Sequence, residues 1–184
     1  MHITGAWILL IFAAVATVVM LLLLHLTRLG DLVHANIRDR PRRRLFIASV
    51  SFFVTFAGVR LLVAAITHHI GPFGWVQFHG RHIHHLVWGI LILLAVGYAW
   101  LAEIGSGSTP TDIFLSRLLT VLYGVGAALT LDEFALWPNL ANVYWSPEGR
   151  ESIDAIILFG AALAAGAWGA PFFSALGRSR NASK

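Results

Sequence analysis

Five stretches of this sequence are apolar over about 20 residues or more, and they constrain the fold more than any other feature. A helix rises about 1.5 Å per residue, so about 20 apolar residues cross the hydrocarbon core of a bilayer. The stretches run from Ala6 to about Leu29 and over Leu45–Ile66, His82–Ala102, Ile113–Trp137 and Ser152–Phe173. The sequence therefore predicts an all-α, polytopic transmembrane bundle of about five spans.

The composition agrees with a membrane protein and narrows its chemistry. Hydrophobic residues make up 58% of the chain and charged residues 12%, against about 45–50% and about 25% in soluble domains. No linker divides the sequence, so residues 1–184 are expected to form a single transmembrane helical domain. The absence of cysteine excludes disulfides, thiolate nucleophiles and cysteine-ligated metals. In a chain this apolar, the net charge of +4 indicates membrane lipids as partners and no nucleic acid.

The arginines predict the orientation of the bundle. With the N-terminus outside, ten of the lysines and arginines lie inside and only Arg81 and Arg150 lie outside, as the positive-inside rule requires. We therefore expect the N-terminus outside and the C-terminus inside, in a bacterial inner membrane. The basic run Arg38–Arg44 is then expected to lie against anionic lipid headgroups.

With this orientation, most of the titratable side chains gather at the outer side of the membrane. The group comprises His68, His69, His79, His82, His84, His85, Asp132, Glu133, Glu148, Glu151 and Asp154. Arg60 lies inside the second span at a similar depth. A charge within the bilayer costs about 2.5–3.5 kcal/mol on insertion scales. We therefore expect Arg60 to form a structural ion pair with Asp132 or Glu133.

Histidines and acids in this pattern predict a metal site. His82 and His85 are three residues apart and would share one helical face, and imidazoles with carboxylates bind zinc or iron in helical bundles. The predicted ligands are His82 and His85, with Asp132 or Glu133 and with Asp154, while His79 or His84 completes the set. Asp132 and Glu133 are about 100° apart on an ideal helix, so one is expected to ligate. The other is expected to orient a ligand, to join an ion pair or to act as catalytic base.

Four short motifs carry a family resemblance. The runs HIHHLVWG, LTLDEFALW, VYW and ESIDA lie between His82 and Ala155 and cover about half of the chain. They resemble a pattern of bacterial integral membrane proteins of unassigned function, so the resemblance implies a membrane protein but no activity. The histidine boxes also superficially resemble those of membrane fatty-acid hydroxylases and desaturases, which carry three boxes where this chain carries one cluster.

The sequence thus predicts a metal-binding membrane protein that acts as an enzyme, a hydrolase or oxidoreductase, on a lipid-like or amphipathic substrate at the outer leaflet. Its cofactor would be a transition metal ion, zinc or iron. One alternative is a proton or metal-ion transporter or conduit, which the apolar inner halves of the spans disfavour. A non-catalytic lipid-binding or assembly protein is the other. Homo-oligomerisation is left open.

Reporter fusions placed after Arg44 and after Leu140 are expected to report opposite sides of the membrane. The first junction falls in the first inner connection, and the second falls in the last outer one. Alkaline phosphatase is active only outside, whereas green fluorescent protein folds only inside, so the two reporters check each other. Two junctions on the same side would contradict the orientation and the depth of the polar cluster.

Overall fold

The fold of the described residues is helical apart from one short hairpin. The computed structural model describes residues 5–37, 39–70, 77–78, 81–82, 84–135, 153, 155–157 and 159–163. Its helices are α1 (Gly5–Leu26), α2 (Arg28–Asn36), α3 (Arg40–Thr67), α4 (His85–Leu101) and α5 (Pro110–Asp132). Strands β1 (Gln77–Phe78) and β2 (Arg81–His82) pair antiparallel, and residues 155–157 and 159–163 are also helical. The all-α class is confirmed for this part of the chain.

Two of the described helices are long and apolar enough to cross a membrane. These are α3 with 28 residues and α5 with 23 residues. Helix α4 is apolar but has only 17 residues, because it begins at His85 rather than at the expected His82. The preceding residues form the hairpin instead. The predicted first stretch, to about Leu29, is divided between α1 and α2.

Helices α3, α4 and α5 alternate in direction along the chain, so α4 is antiparallel to both of the others. Helices α3 and α5 are parallel, since Arg44 contacts Ser116 near their starts and Arg60 contacts Asp132 near their ends. Helix α4 is antiparallel to both, because its first residue, His85, also contacts Asp132. We call the end at Asp132 the acidic end and the opposite end the arginine end.

Helix α5 forms the centre of the bundle, and small residues let its neighbours approach it. Ala128, Val125 and Val121 of α5 are at most 1% exposed. A Cβ added to Gly124 would lie 2.5 Å from the carbonyl oxygen of Ala48 on α3. In lipid, where close packing drives helix association, such contacts between small residues hold helices together.

The surface that faces away from α5 is strongly apolar. Large apolar side chains are exposed on α1, α3 and α4, among them Ile11, Val15, Leu61, Leu94 and Leu101. A soluble monomer rarely exposes apolar patches of this extent. The surface is therefore typical of helices in contact with lipid.

Replacing Gly89 with alanine is expected to destabilise the packing of α4 on α5. The added Cβ would collide with Thr130 Oγ1 and would lie 2.7 Å from the Gly126 carbonyl oxygen, and overpacking of this kind costs about 1–3 kcal/mol. Gly97 on the same helix is the matched control, since a Cβ added there would have no described atom within 4 Å. Gly97→Ala should be neutral or stabilising by up to about 1 kcal/mol. The free energy of unfolding of each variant can be measured in mixed micelles. Equal values for Gly89→Ala and Gly97→Ala would contradict the close approach of α4 to α5.

Candidate functional site

The carboxylate of Asp132 joins three helices at the acidic end. Asp132 closes α5 and has no exposed surface. Its Oδ1 lies 2.5 Å from Arg60 Nε on α3, and its Oδ2 lies 3.0 Å from His85 Nε2 on α4. The guanidinium of Arg60 also lies 5.3 Å from the ring centre of Phe56. The buried carboxylate therefore has cationic or hydrogen-bonding partners on both neighbouring helices.

The side chain of Glu133 binds the residues at the start of α4. Its Oε1 lies 2.9 Å from His84 Nδ1 and 3.4 Å from His85 Nδ1. Its Oε2 accepts a hydrogen bond of 3.1 Å from the backbone N–H of Leu86. Glu133 is only 5% exposed, so these contacts replace the water that a carboxylate would otherwise bind.

Both acids face α4, which differs from the expectation that an ideal helix would separate them. The reason is that α5 ends at Asp132. Glu133 is the C-cap, with φ −109° and ψ 23°, so its side chain does not follow the helical 100° step. The structure thus brings four of the predicted site residues together with Arg60, and we call this set the acidic cluster: Arg60, His84, His85, Asp132 and Glu133.

The histidine of α4 lies between two carboxylates. His85 is 4% exposed, and each of its ring nitrogens faces a different acid. A neutral imidazole has one donor nitrogen and one acceptor nitrogen, whereas an imidazolium donates from both. Only the imidazolium therefore donates to both carboxylates at once. One imidazolium in the cluster, on His84 or on His85, would together with Arg60 balance the charges of Asp132 and Glu133.

His84 connects the acidic cluster to the surroundings of the bundle. It is the N-cap residue, one position outside α4, and 28% of its side chain is exposed. The hydrogen bond to Glu133 raises the pKa of His84, the charge of Glu133 adds to this, and partial burial opposes it. A raised folded-state pKa means that this pair stabilises the fold below the ordinary value of about 6.5. The stabilisation is lost as the pH rises through the folded-state pKa.

Of the remaining predicted metal ligands, His82 alone lies in the part of the chain that the structure describes. His82 lies in β2, before α4 begins, so the expected helical face shared by His82 and His85 is wrong. His79 and Asp154 lie outside the described residues. Across the described part of the chain, no group of three or more His, Asp or Glu side chains is placed to hold a metal ion. His68 and His69 follow α3 and are exposed.

Sequence reasoning missed a row of hydroxyls between α3 and α5. Ser51, Thr55 and Thr120 are each at most 1% exposed, although the inner halves of the spans were expected to be almost purely apolar. Ser51 Oγ donates 2.8 Å to the carbonyl oxygen of Val121, and Thr120 Oγ1 donates 2.6 Å to that of Ser116. The four-residue spacing of Ser51 and Thr55, which places both on one helical face, was the available signal.

Comparison with protein-family models, with curated proteins and with solved structures found no match. This agrees with the expectation that the HIHH and LDEF motifs bring no transferable activity. The function therefore has to be argued from the geometry and charge of the acidic cluster itself.

Removing Arg60 is expected to destabilise the protein by about 3 kcal/mol, the lower part of the range for breaking a buried ion pair. Arg60→Leu leaves the carboxylate of Asp132 without its cation, and Arg60 itself retains 25% side-chain exposure. The double variant Arg60→Leu with Asp132→Asn removes the uncompensated charge and keeps a polar group beside His85. The double variant should recover at least half of the free energy of unfolding that Arg60→Leu loses, as measured by unfolding in mixed micelles. Equal damage in the single and double variants would mean that the pair contributes nothing specific.

Proposed function

We propose that this chain is a five-span protein of the bacterial inner membrane that binds and releases a proton at its outer face. In this proposal the N-terminus is outside, the C-terminus is inside, and the acidic end of the bundle faces outward. The reaction is the reversible protonation of the acidic cluster. The protein is then a proton-coupled transporter or a proton conduit.

The observation that carries the proposal is the placement of His85 between two carboxylates. Its Nε2 is 3.0 Å from Asp132 and its Nδ1 is 3.4 Å from Glu133. The two acids are at most 5% exposed and lie beside one guanidinium, so a proton on His84 or His85 would balance the second negative charge. Burying such a charge is costly. Proton binding and charge balance are therefore linked at this position.

Two further features support a path for the proton. His84 bonds to Glu133 and keeps part of its ring exposed, so it can pass a proton between the cluster and the outside. The buried hydroxyls of Ser51, Thr55 and Thr120 lie on α3 and α5 between the acidic cluster and the arginine end, and Ser51 donates across the contact between the two helices. A hydroxyl that donates to a backbone carbonyl can still accept a hydrogen bond. These buried hydroxyls support a proton conduit, which the sequence alone disfavoured.

The metal-dependent enzyme remains the second candidate. It would use Asp132 and Glu133 as ligand and base toward a lipid-like substrate, with zinc or iron held by histidines that include His79 or His82. In the described geometry both ring nitrogens of His85 face carboxylates, so a metal would have to displace the shared proton. The non-catalytic lipid-binding alternative requires neither metal binding nor proton binding at His85.

A pH jump on proteoliposomes adsorbed to a solid-supported membrane tests the proposal. A step from about pH 8 to about pH 6 crosses the ordinary range of histidine and should produce a transient charge displacement in the wild-type protein. His85→Gln should diminish the transient by about half or more, because glutamine does not titrate and His84 is then the histidine left in the cluster. His84→Gln should slow it. His68→Gln is the matched control, since His68 is exposed and lies outside the acidic cluster.

An undiminished transient in His85→Gln would contradict proton binding at the cluster, as would its absence from the wild-type protein. Elemental analysis of the same wild-type preparation adds a separate check. If the wild-type protein contains stoichiometric zinc or iron and His85→Ala does not, the result would support the metal-dependent enzyme and not the proton site.

A further inference from the structure

A cavity at the arginine end of the bundle collects cations from two helices. It has a volume of about 220 Å³ and lies between the start of α3, the loop that leads into α5, and the first half of α5. Its polar lining consists mainly of Arg40, Arg43, Arg44, Arg117, Ser116 and Thr120. We call it the arginine pocket.

Backbone carbonyls hold the guanidinium groups of the arginine pocket in place. Arg40 Nη2 donates 2.7 Å to the carbonyl oxygens of both Gly105 and Gly107. Arg44 donates from Nη2 to the same Gly105 oxygen at 3.0 Å and from Nε to Ser116 Oγ at 2.9 Å. These acceptors are neutral, so they orient the cations without cancelling their charge.

The nearby carboxylates lie outside the lining of the pocket. Asp39 is 3.6 Å from Arg42, which does not line the pocket, and its charge offsets part of the repulsion of Arg43 by Arg117 and Arg40. Asp112 Oδ2 accepts hydrogen bonds from the N–H and the hydroxyl of Thr109, and so caps the start of α5. Among the described residues that line the pocket there are four arginines and no acid. Like charges held this close together repel each other unless an anion lies between them.

We propose that the arginine pocket binds a phosphate group, carried either by an anionic lipid or by free phosphate. Guanidinium groups bind phosphate oxygens through paired, charge-assisted hydrogen bonds, and the hydroxyl of Ser116, which accepts from Arg44, adds one neutral donor. The volume is below the range of about 300–1,000 Å³ for sites of drug-sized ligands, so it suits a headgroup rather than a large metabolite.

The position of the pocket along the bundle fits a phosphate at the membrane surface. Arg44 and Arg60 are separated by about 24 Å of helix at 1.5 Å per residue, close to the thickness of a hydrocarbon core. The apolar side chains of Ile47 and Ile113 complete the lining. This gives a cationic site with an apolar side, on the opposite end of the bundle from the acidic cluster. The inference is therefore independent of the proposed proton site.

The test measures binding to the full-length protein in detergent micelles by isothermal titration. The probes are inorganic phosphate, short-chain phosphatidic acid and the matching diacylglycerol, which lacks the phosphate. Binding of phosphatidic acid but not diacylglycerol is expected. Inorganic phosphate that binds and competes identifies a site for the free anion, whereas no effect of inorganic phosphate identifies a lipid site.

Variants on one turn of α3 distinguish the pocket from general charge attraction. Arg43→Gln should weaken phosphate binding by about tenfold or more, the effect of one lost charge-assisted hydrogen bond. Arg42→Gln removes the same charge one residue away, outside the lining, and should change the affinity by less than about twofold. Arg43→Lys keeps the charge and removes the planar fork, so it should bind more weakly than the wild type even if Arg43→Gln fails to fold.

Three results would overturn the proposal. The first is the absence of binding by both phosphate probes. The second is an equal loss of affinity in Arg42→Gln and Arg43→Gln, and the third is undiminished affinity in every folded Arg43 variant. In the last two cases the pocket would play no specific part.

Discussion

The buried charge of Asp132 sets the conditions that the rest of this bundle has to meet. A carboxylate with no exposed surface needs partners within hydrogen-bonding distance, and here they come from α3 and α4. Both helices must therefore lie close to α5 at the same height. The glycines and alanines along α5 make this approach sterically feasible. Packing and electrostatics are thus two aspects of one requirement, because a looser bundle would leave the carboxylate unpaired.

Much of this arrangement could be predicted from the sequence, since depth in a membrane follows from counting residues along helices. Counting places Arg60 and Asp132 at similar heights, and the cost of an isolated charge predicts that they pair. The beginning of α4 could not be predicted in this way. The run from His82 to His85 contains no Ser, Thr, Asp or Asn to mark an N-cap, and His84 fills that position without a side-chain capping bond. The error at His82 follows directly, because a shared face requires a continuous helix.

Contacts between distant parts of the chain were also beyond sequence reasoning. The basic run was expected to meet lipid headgroups, but its convergence with Arg117 depends on how α3 and α5 pack. The carbonyl oxygens of Gly105 and Gly107 accept hydrogen bonds from Arg40 because the loop before α5 lies against the start of α3. The hydrophobic periodicity of a sequence describes one helix at a time and contains no information on contacts between helices. It does identify the charged residues, which is why both ends of the bundle could be located and Arg60 paired with an acid, whereas the contacts of the basic run could not be predicted.

The reversal of direction between α4 and α5 has an electrostatic consequence of its own. A helix carries about half a positive charge at its amino end and about half a negative charge at its carboxyl end. Helix α5 brings its negative end, together with two acids, to the site. Helix α4 arrives by its amino end, and the N–H of Leu86 points at Glu133. Helices α4 and α5 are consecutive in the chain and antiparallel, so the reversal of direction that lets them pack also provides a backbone dipole that complements the second acid.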